Sequence, residues 1–305
     1  MGSYLIYQRR VKRSVDLGGV ASVDGVDTFT IGGDLEVHRL GFGAMRITGP
    51  GIWGPPEDPD EARRVLRRVV ELGIDLIDTA DSYGPEVSEN LIAEALRPYP
   101  EGLVIATKGG LLRSGPGQWP RDASPEHLRE ACEGSLRRLK VDRIDLYQLH
   151  SPDNKVPFEE SVGTLKQLQD EGKIRHIGMS NVSVDELNRA RGIVDVVTVQ
   201  NRYSLEDRRS EDVLEACEEA NIGFIPWFPL ATGRLADPGG PLDRIASEHD
   251  ATPAQIALAW LLARSPSMLP IPGTSSVEHL EENLAAARIE LSAGELDEIG
   301  NSSQG

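Results

Sequence analysis

From residue 39 onward the chain repeats one unit: a short apolar run, a polar turn, then an amphipathic helical stretch. The apolar runs are RLGFG (39–43), IDLID (74–78), LVIATK (103–108), IDLYQLH (144–150), IRHIGMS (174–180), VVTVQ (196–200), GFIPW (223–227) and MLPIP (268–272). Between them lie helical patterns such as DEARRVLRRVVELG, SENLIAEALR, SPEHLREACEGSLRRLK and TPAQIALAWLLARS. Several open on Ser or Asp and close near Gly, and Pro125 and Pro253 stand in a first helical turn, where a missing N–H costs nothing. A strand–helix–strand crossover returns the chain to the same end of the sheet, so consecutive strands pair in parallel. Eight such units in roughly 250 residues is the size of a closed α/β barrel, the (β/α)8 or TIM barrel. An open doubly wound sheet is the competing architecture. The glycine fingerprint it needs after an early strand is missing, because GFGAMR (41–46) breaks after its second glycine.

Ahead of the repeats, TFTIGG and LEVHRLGFG read as a β-hairpin turning at Gly32-Gly33-Asp34. Residues 1–27 lack periodicity and are expected to form an N-terminal tail, with 28–305 as a single domain. The one basic cluster, Arg9, Arg10, Lys12 and Arg13, falls in that tail and reads as a solvated segment. Against 32 basic residues stand 49 acidic ones, a net charge of −17, which argues against nucleic acid or an anionic membrane as main partner. No stretch approaches the ~18 apolar residues of a membrane span, and the start lacks an apolar signal core, so a cytoplasmic protein is expected. Cys132 and Cys217 sit inside helical patterns with neither metal spacing nor a disulfide framework.

In such a barrel, reactive groups gather where strands end. Here the strands end on Asp78 (with Tyr83 in the following loop), Lys108, His150, Ser180-Asn181, Gln200 and Trp227-Phe228, and the last runs into PGTSS. A charge at the end of an apolar strand is costly unless it is paired or used. Asp, Tyr, Lys and His on one rim can give a proton to a carbonyl. A free phenol has a pKa near ~10, and a neighbouring ammonium is expected to lower it. A carboxylate keeps that cation in place, and a histidine beside the phenol can polarise the substrate oxygen or share the proton. The set contains neither a hydride nor an activated nucleophile, so a cofactor is implied.

GIDLIDTADSYG, LVIATKGG, IDLYQLHSPD, IRHIGMSN, VQNRYS and IPGTSSVEHLEEN, in that order, resemble the motifs of the aldo-keto reductases, and the match covers nearly all of the chain after residue 27. The resemblance implies a (β/α)8 barrel with an N-terminal hairpin capping its bottom and a nicotinamide cofactor across the C-terminal face. It makes Tyr83 the general acid, Lys108 its tuning cation, Asp78 the partner of the lysine, and His150 the residue that orients the carbonyl. It assigns cofactor contacts to Gly43, Ala44 and Met45; to Ser180, Asn181 and Gln200 at the carboxamide; and to Trp227 and Phe228 at the ring. Leu230, Gly233 and Leu235 would fold over the pyrophosphate, and Gly273, Thr274, Ser275, His279, Glu282 and Asn283 would form the adenosine side. Ser275 and Glu278 also read as a capping box. Family members often carry Lys and Arg where this chain has Gly273 and His279. NADP(H) is still expected over NAD(H), because Thr274, Ser275 and His279 can donate hydrogen bonds at a helix N-terminus. The loop ITGPGIWGPPEDP resembles a bacterial branch that includes pyridoxal reductases, with Trp53 and Trp119 as expected pocket walls for a small-molecule carbonyl substrate. A cofactor-binding redox sensor, resembling potassium-channel beta subunits, is the alternative from another class.

Overall fold

The structure, a computed structural model, describes residues 22–23, 25–230 and 240–302. The hairpin comes first. β1 (Thr28–Ile31) and β2 (Leu35–His38) pair antiparallel, Thr28 opposite His38 and Ile31 opposite Leu35. The turn between them holds Gly32 at φ 61° and Gly33 at φ 82°, a left-handed path that glycine takes without strain. Its inner face, Phe29, Ile31, Leu35 and Val37, packs on Leu76, Val104, Leu146, Val197 and Leu269 from the lower barrel interior. The hairpin therefore closes the barrel bottom, and Asp34 at its tip accepts from Arg175 (2.7 Å) and pairs with His176 (2.6 Å).

Seven parallel strands follow in sequential order: β3 (Phe42–Gly43), β4 (Leu76–Asp78), β5 (Val104–Gly109), β6 (Ile144–Leu149), β7 (Ile174–Ser180), β8 (Val196–Arg202) and β9 (Gly223–Trp227). The expected eighth strand at 268–272 forms no ladder, yet it does close the circle. On one side Leu269 N–H donates to Phe224 O (2.8 Å); on the other Gly41 N–H donates to Pro270 O (2.9 Å). Pro270 and Pro272 have no N–H, so toward β3 this segment can only accept, and both it and the expected 39–43 strand lose regular pairing. Arg39 leaves the sheet altogether and donates to Leu262 O (2.6 Å) and Ser265 O (2.5 Å).

The outer layer is α1 (Pro59–Glu71), α2 (Val87–Leu96), α3 (Pro125–Leu139), α4 (Phe158–Asp170), α5 (Val184–Arg191), α6 (Glu211–Ala220), α7 (Pro241–Glu248), α8 (Pro253–Arg264), α9 (Val277–Ala285) and α10 (Ala293–Ser302). Helices α7 and α10 are additions to the eightfold pattern. They join each other through His249–Glu295 (2.6 Å) and an Arg244–Glu298 pair. The α9 cap also differs from the expected box. Ser276, not Ser275, accepts from His279 N–H (3.4 Å), because Thr274 Oγ1 already accepts Ser276 N–H (3.1 Å) and the helix starts one residue later. That register buries Leu280 and Leu284.

The tail expected over residues 1–27 falls mostly outside the described residues, the basic cluster included. Within it, Val23 is buried and its N–H donates to Leu72 O (3.0 Å), so packing against the barrel begins before residue 28. Cys132 and Cys217 are buried in α3 and α6, and burial pushes both thiols up to about 12. Among the described residues there is no metal-ligand cluster, and no helix is long and apolar enough to cross a membrane.

Candidate active site

Strand alternation fills the upper barrel. Period two sends Leu76 and Asp78 of β4, Ala106 and Lys108 of β5, and Leu146 and Gln148 of β6 into the interior. Gly178 of β7 has to be a glycine. A Cβ there would stand 2.3 Å from Thr198 Oγ1 and 2.9 Å from Gln148 Cγ, closing the path by which Gln148 crosses the interior.

The turn Asp78–Tyr83 is held at several points. Thr79 N–H donates to Ala106 O (2.8 Å), Asp81 N–H to Lys108 O (3.3 Å) and Ser88 N–H to Tyr83 O (3.1 Å). Behind it a buried chain runs from Thr79 Oγ1 to Ser88 Oγ (2.8 Å) and on to Ala44 O (2.9 Å). Beside it, buried Glu89 accepts from Thr107 (2.6 Å) and Arg138 (2.6 Å). These bonds fold Tyr83 back over the barrel mouth.

The structure brings Asp78, Tyr83, Lys108 and His150 together, all buried. An ammonium has three N–H donors. Lys108 Nζ directs them at Asp78 Oδ1 (2.6 Å), Thr79 O (2.8 Å) and Tyr83 Oη (3.3 Å). Gln148 (3.0 Å) and Gln200 (2.8 Å) both donate to Asp78 Oδ2, so the carboxylate is satisfied on both oxygens. Burial works against the charge on Lys108, but Asp78 and Tyr83 outweigh it and leave the ammonium raised above its ordinary value.

One expectation reverses here. Burial raises the Tyr83 phenol above its ordinary 10, and the pull of Lys108 does not overcome it, with Asp78 opposing the lysine. Tyr83 is a neutral phenol whose oxygen accepts from Lys108, leaving its own O–H free for the cavity. Burial, followed by the Lys108 charge, holds His150 well below 6.5. Its neutral ring stands edge-on to Tyr83, centroids 5.9 Å apart, with Ser82 Oγ 3.4 Å from Nδ1. A Ser82 hydroxyl that donates to Nδ1 would place the ring proton on Nε2.

Asp81 sits behind this cluster, its Oδ1 buried without a hydrogen-bond partner. Burial, then the charge of Glu89, pushes it up to about 8. A folded-state pKa above the unfolded value of 3.8 means stability is lost as pH rises toward 8. Asp81→Asn is therefore expected to raise the melting temperature by several degrees at pH 8.5 and hardly at all at pH 4, read by thermal melts at both.

Two cavities meet at Tyr83. One of about 220 Å³ runs along the closure of the barrel, between Gly43, Asp78, Gln200, Trp227, Leu230 and Gly273. The other, about 500 Å³, is lined by Met45, Tyr83, Leu111, Trp119, His150, Ser180, Trp227 and Phe228, among others. Trp53, expected as a wall, does not line it, and instead lies against the Arg113 guanidinium.

The first cavity suits an extended cofactor. Its floor is bare backbone, since a Cβ on Gly43 would come 2.6 Å from Ile271 O, and one on Gly273 2.6 Å from Gly43 O. Trp227 and Phe228 form an aromatic edge, with Phe228 48% exposed. For a carboxamide the available groups are the Ser180 O–H, whose oxygen already accepts from Asn181 Nδ2 (3.1 Å), and Gln200 Oε1. Asn181 is already engaged: Nδ2 donates to His150 O (2.9 Å) and Oδ1 accepts from Trp227 Nε1 (3.0 Å). Thus Asn181 fixes Trp227 and the His150 backbone more than it presents a free amide. Ala44 is buried below, Ser275 borders a neighbouring cavity with Arg46, and Thr274 and Asn283 are buried around α9. His279 lies in the first turn of α9, and Glu282 O accepts from Gln255 (2.9 Å). Gly233 and Leu235 lie outside the described residues. Gln148 is a site residue that the sequence motifs pass over, though an amide in an otherwise apolar inward row is its signal. Arg113, in a loop, and Arg46, in the short 3-10 turn Ala44–Ile47, give none.

The barrel closed below by a hairpin is that of an oxidoreductase family: the chain belongs to the aldo/keto reductase family, whose model matches residues 39–303. It is 54% identical over 273 residues to uncharacterized oxidoreductase C215.11c of Schizosaccharomyces pombe, covering 88% of this chain and 89% of that one. It is 42% identical to pyridoxine 4-dehydrogenase of Escherichia coli, over 87% and 94% of the two chains. Among solved structures, the thermostable aldo-keto reductase Tm1743 superposes with a TM-score of 0.80 at 32% identity, over 90% and 99%. A Klebsiella pneumoniae aldo/keto reductase in complex with NADP and acetate gives 0.78 at 30%, over 91% and 95%.

Proposed function

We propose that this oxidoreductase reduces an aldehyde or ketone to an alcohol at the expense of NADPH, with Tyr83 as the proton donor. The carrying observation is the lysine geometry. All three Lys108 donors are spoken for, one of them by Tyr83 Oη, so the phenol is held as a donor toward the cavity. When bound, the reduced nicotinamide supplies the hydride to the carbonyl carbon. Tyr83 gives its proton to the carbonyl oxygen and is reprotonated from water in the open compartment. His150, through Nε2–H, orients that oxygen, while Lys108, itself held in place by Asp78, steadies the phenolate formed. Gly43, Gly273, Ser180, Gln200, Trp227 and Phe228 are the residues that would hold the cofactor, and Trp119 faces the substrate. The likeness to pyridoxine 4-dehydrogenase, and the aromatic lining, support a pyridoxal-type substrate.

The test is to mix the protein with NADPH or NADH and a panel of aldehydes that includes pyridoxal, following loss of the reduced-nicotinamide absorbance. Turnover with NADPH preferred supports the reading. Tight cofactor binding without turnover on any carbonyl would point to a sensor instead, and equal affinities would remove the NADP preference.

The titrations set a pH profile. With His150 held well below 6.5 and Tyr83 raised above 10, both stay in their working form across the neutral range. Expected, therefore, is kcat/KM for reduction without a break near pH 6.5, declining only above pH 10. A bell centred near neutrality would contradict these assignments.

A further inference from the structure

We infer that Arg113, a residue with no part in the proton transfer, is the positioning residue that builds the substrate compartment, which rests on the carbonyl-reductase reading for its kinetic consequence. Its side chain ties three consecutive loops of the barrel mouth together. Nη1 donates to Ile52 O (2.6 Å) and Ser82 O (3.0 Å), Nη2 to Gly51 O (3.0 Å) and Gly115 O (3.5 Å), and Nε to Gln118 O (3.1 Å). All five N–H donors of the guanidinium are used, every one on a backbone carbonyl. The cation lies 3.6 Å from the centroid of Trp119 and 5.6 Å from that of Trp53. Trp119 in turn meets Tyr83 edge-on at 6.4 Å.

The loop after β3 shows what this bond network holds. Ile52 is β-branched, yet it sits at φ 55°, in the left-handed region, next to Gly51 at φ 69°. A β-branched residue persists there only where its surroundings over-determine it. Strained Ile52 and its neighbour Gly51 both present their carbonyls to the same guanidinium. The Ser82 carbonyl is the third anchor, one residue before the phenol, so the arginine sets the Trp119 wall relative to Tyr83. A lysine has too few donors, and no plane, to replace it.

The experiment compares wild type, Arg113→Met and Arg113→Lys by hydrogen exchange and by kinetics on an aromatic and a short aliphatic aldehyde, with melting temperatures as a folding control. Exchange is expected to quicken at least tenfold in both 49–57 and 110–121. KM for the aromatic aldehyde is expected to rise about tenfold or more, with a much smaller rise for the aliphatic one and NADPH affinity within about twofold. Lysine is expected to rescue neither readout. Should Arg113→Met fail to fold, Arg113→Lys decides. Unchanged exchange, an unchanged aromatic-to-aliphatic ratio, or full rescue by lysine overturns the inference. A wild type without turnover sinks the functional reading alone, and exchange still decides the clamp.

Discussion

Tyr83→Phe is expected to lower kcat for carbonyl reduction by about two to four decades, some 3–5 kcal/mol of barrier lowering. The substitution removes one oxygen. That oxygen touches Lys108 at 3.3 Å, the longest of the lysine's three bonds, while the ring keeps its edge contacts with His150 and Trp119. Folding and NADPH affinity are therefore expected to change little. Loss of an interaction made only as the proton moves lowers kcat and kcat/KM together. Steady-state kinetics beside cofactor quenching of tryptophan fluorescence reads both quantities. Activity within about tenfold of wild type would remove Tyr83 from the chemistry.

Lys108→Met is expected to damage activity and stability at once. Lys108 and Asp78 form a buried pair at 2.6 Å, with side chains 0% and 2% exposed. Taking one partner away leaves a buried charge without its counter-ion, at a cost of about 3–5 kcal/mol. In a chain of this size that amounts to roughly five to eight degrees of melting temperature. Gln148 and Gln200 still donate to Asp78, which sets the cost toward the lower figure. The double variant Asp78→Asn/Lys108→Met should recover part of the stability but none of the activity, because the buried charge goes while the phenol still lacks its cation. Additive stability losses in that cycle would mean the two groups do not act as a pair.

Much of this site is legible in the amino-acid sequence. Period-two alternation and parallel crossovers put Asp78, Lys108 and His150 on one rim, since those inferences need only local pattern. What escapes depends on contacts between distant segments. LPIPG carries its own warning: two prolines cannot complete a ladder, yet the run scans as an apolar strand. A lysine neighbour alone argues for a lowered phenol, but the sign is set by how deeply the turn is packed, which pattern does not disclose. Gln148 looks like one polar interruption, and its meaning requires Gly178, its register partner on the neighbouring strand β7. Arg113 lies in a loop whose partners come from three separate turns, so no spacing rule finds it. Trp53 does belong to the mouth, but its ring meets that arginine and does not line the cavity.

The most direct measurement follows an isotope. Wild-type protein is given an aldehyde and NADPH carrying deuterium at the transferable nicotinamide position, in ordinary water, and the alcohol is analysed by mass spectrometry. Expected is one deuterium on the carbinol carbon per cofactor oxidised, with Tyr83→Phe forming the same labelled product at a rate lower by about two decades or more. Alcohol without carbon-bound deuterium, or a Tyr83→Phe variant that labels it as fast as wild type, would contradict hydride transfer assisted by this phenol.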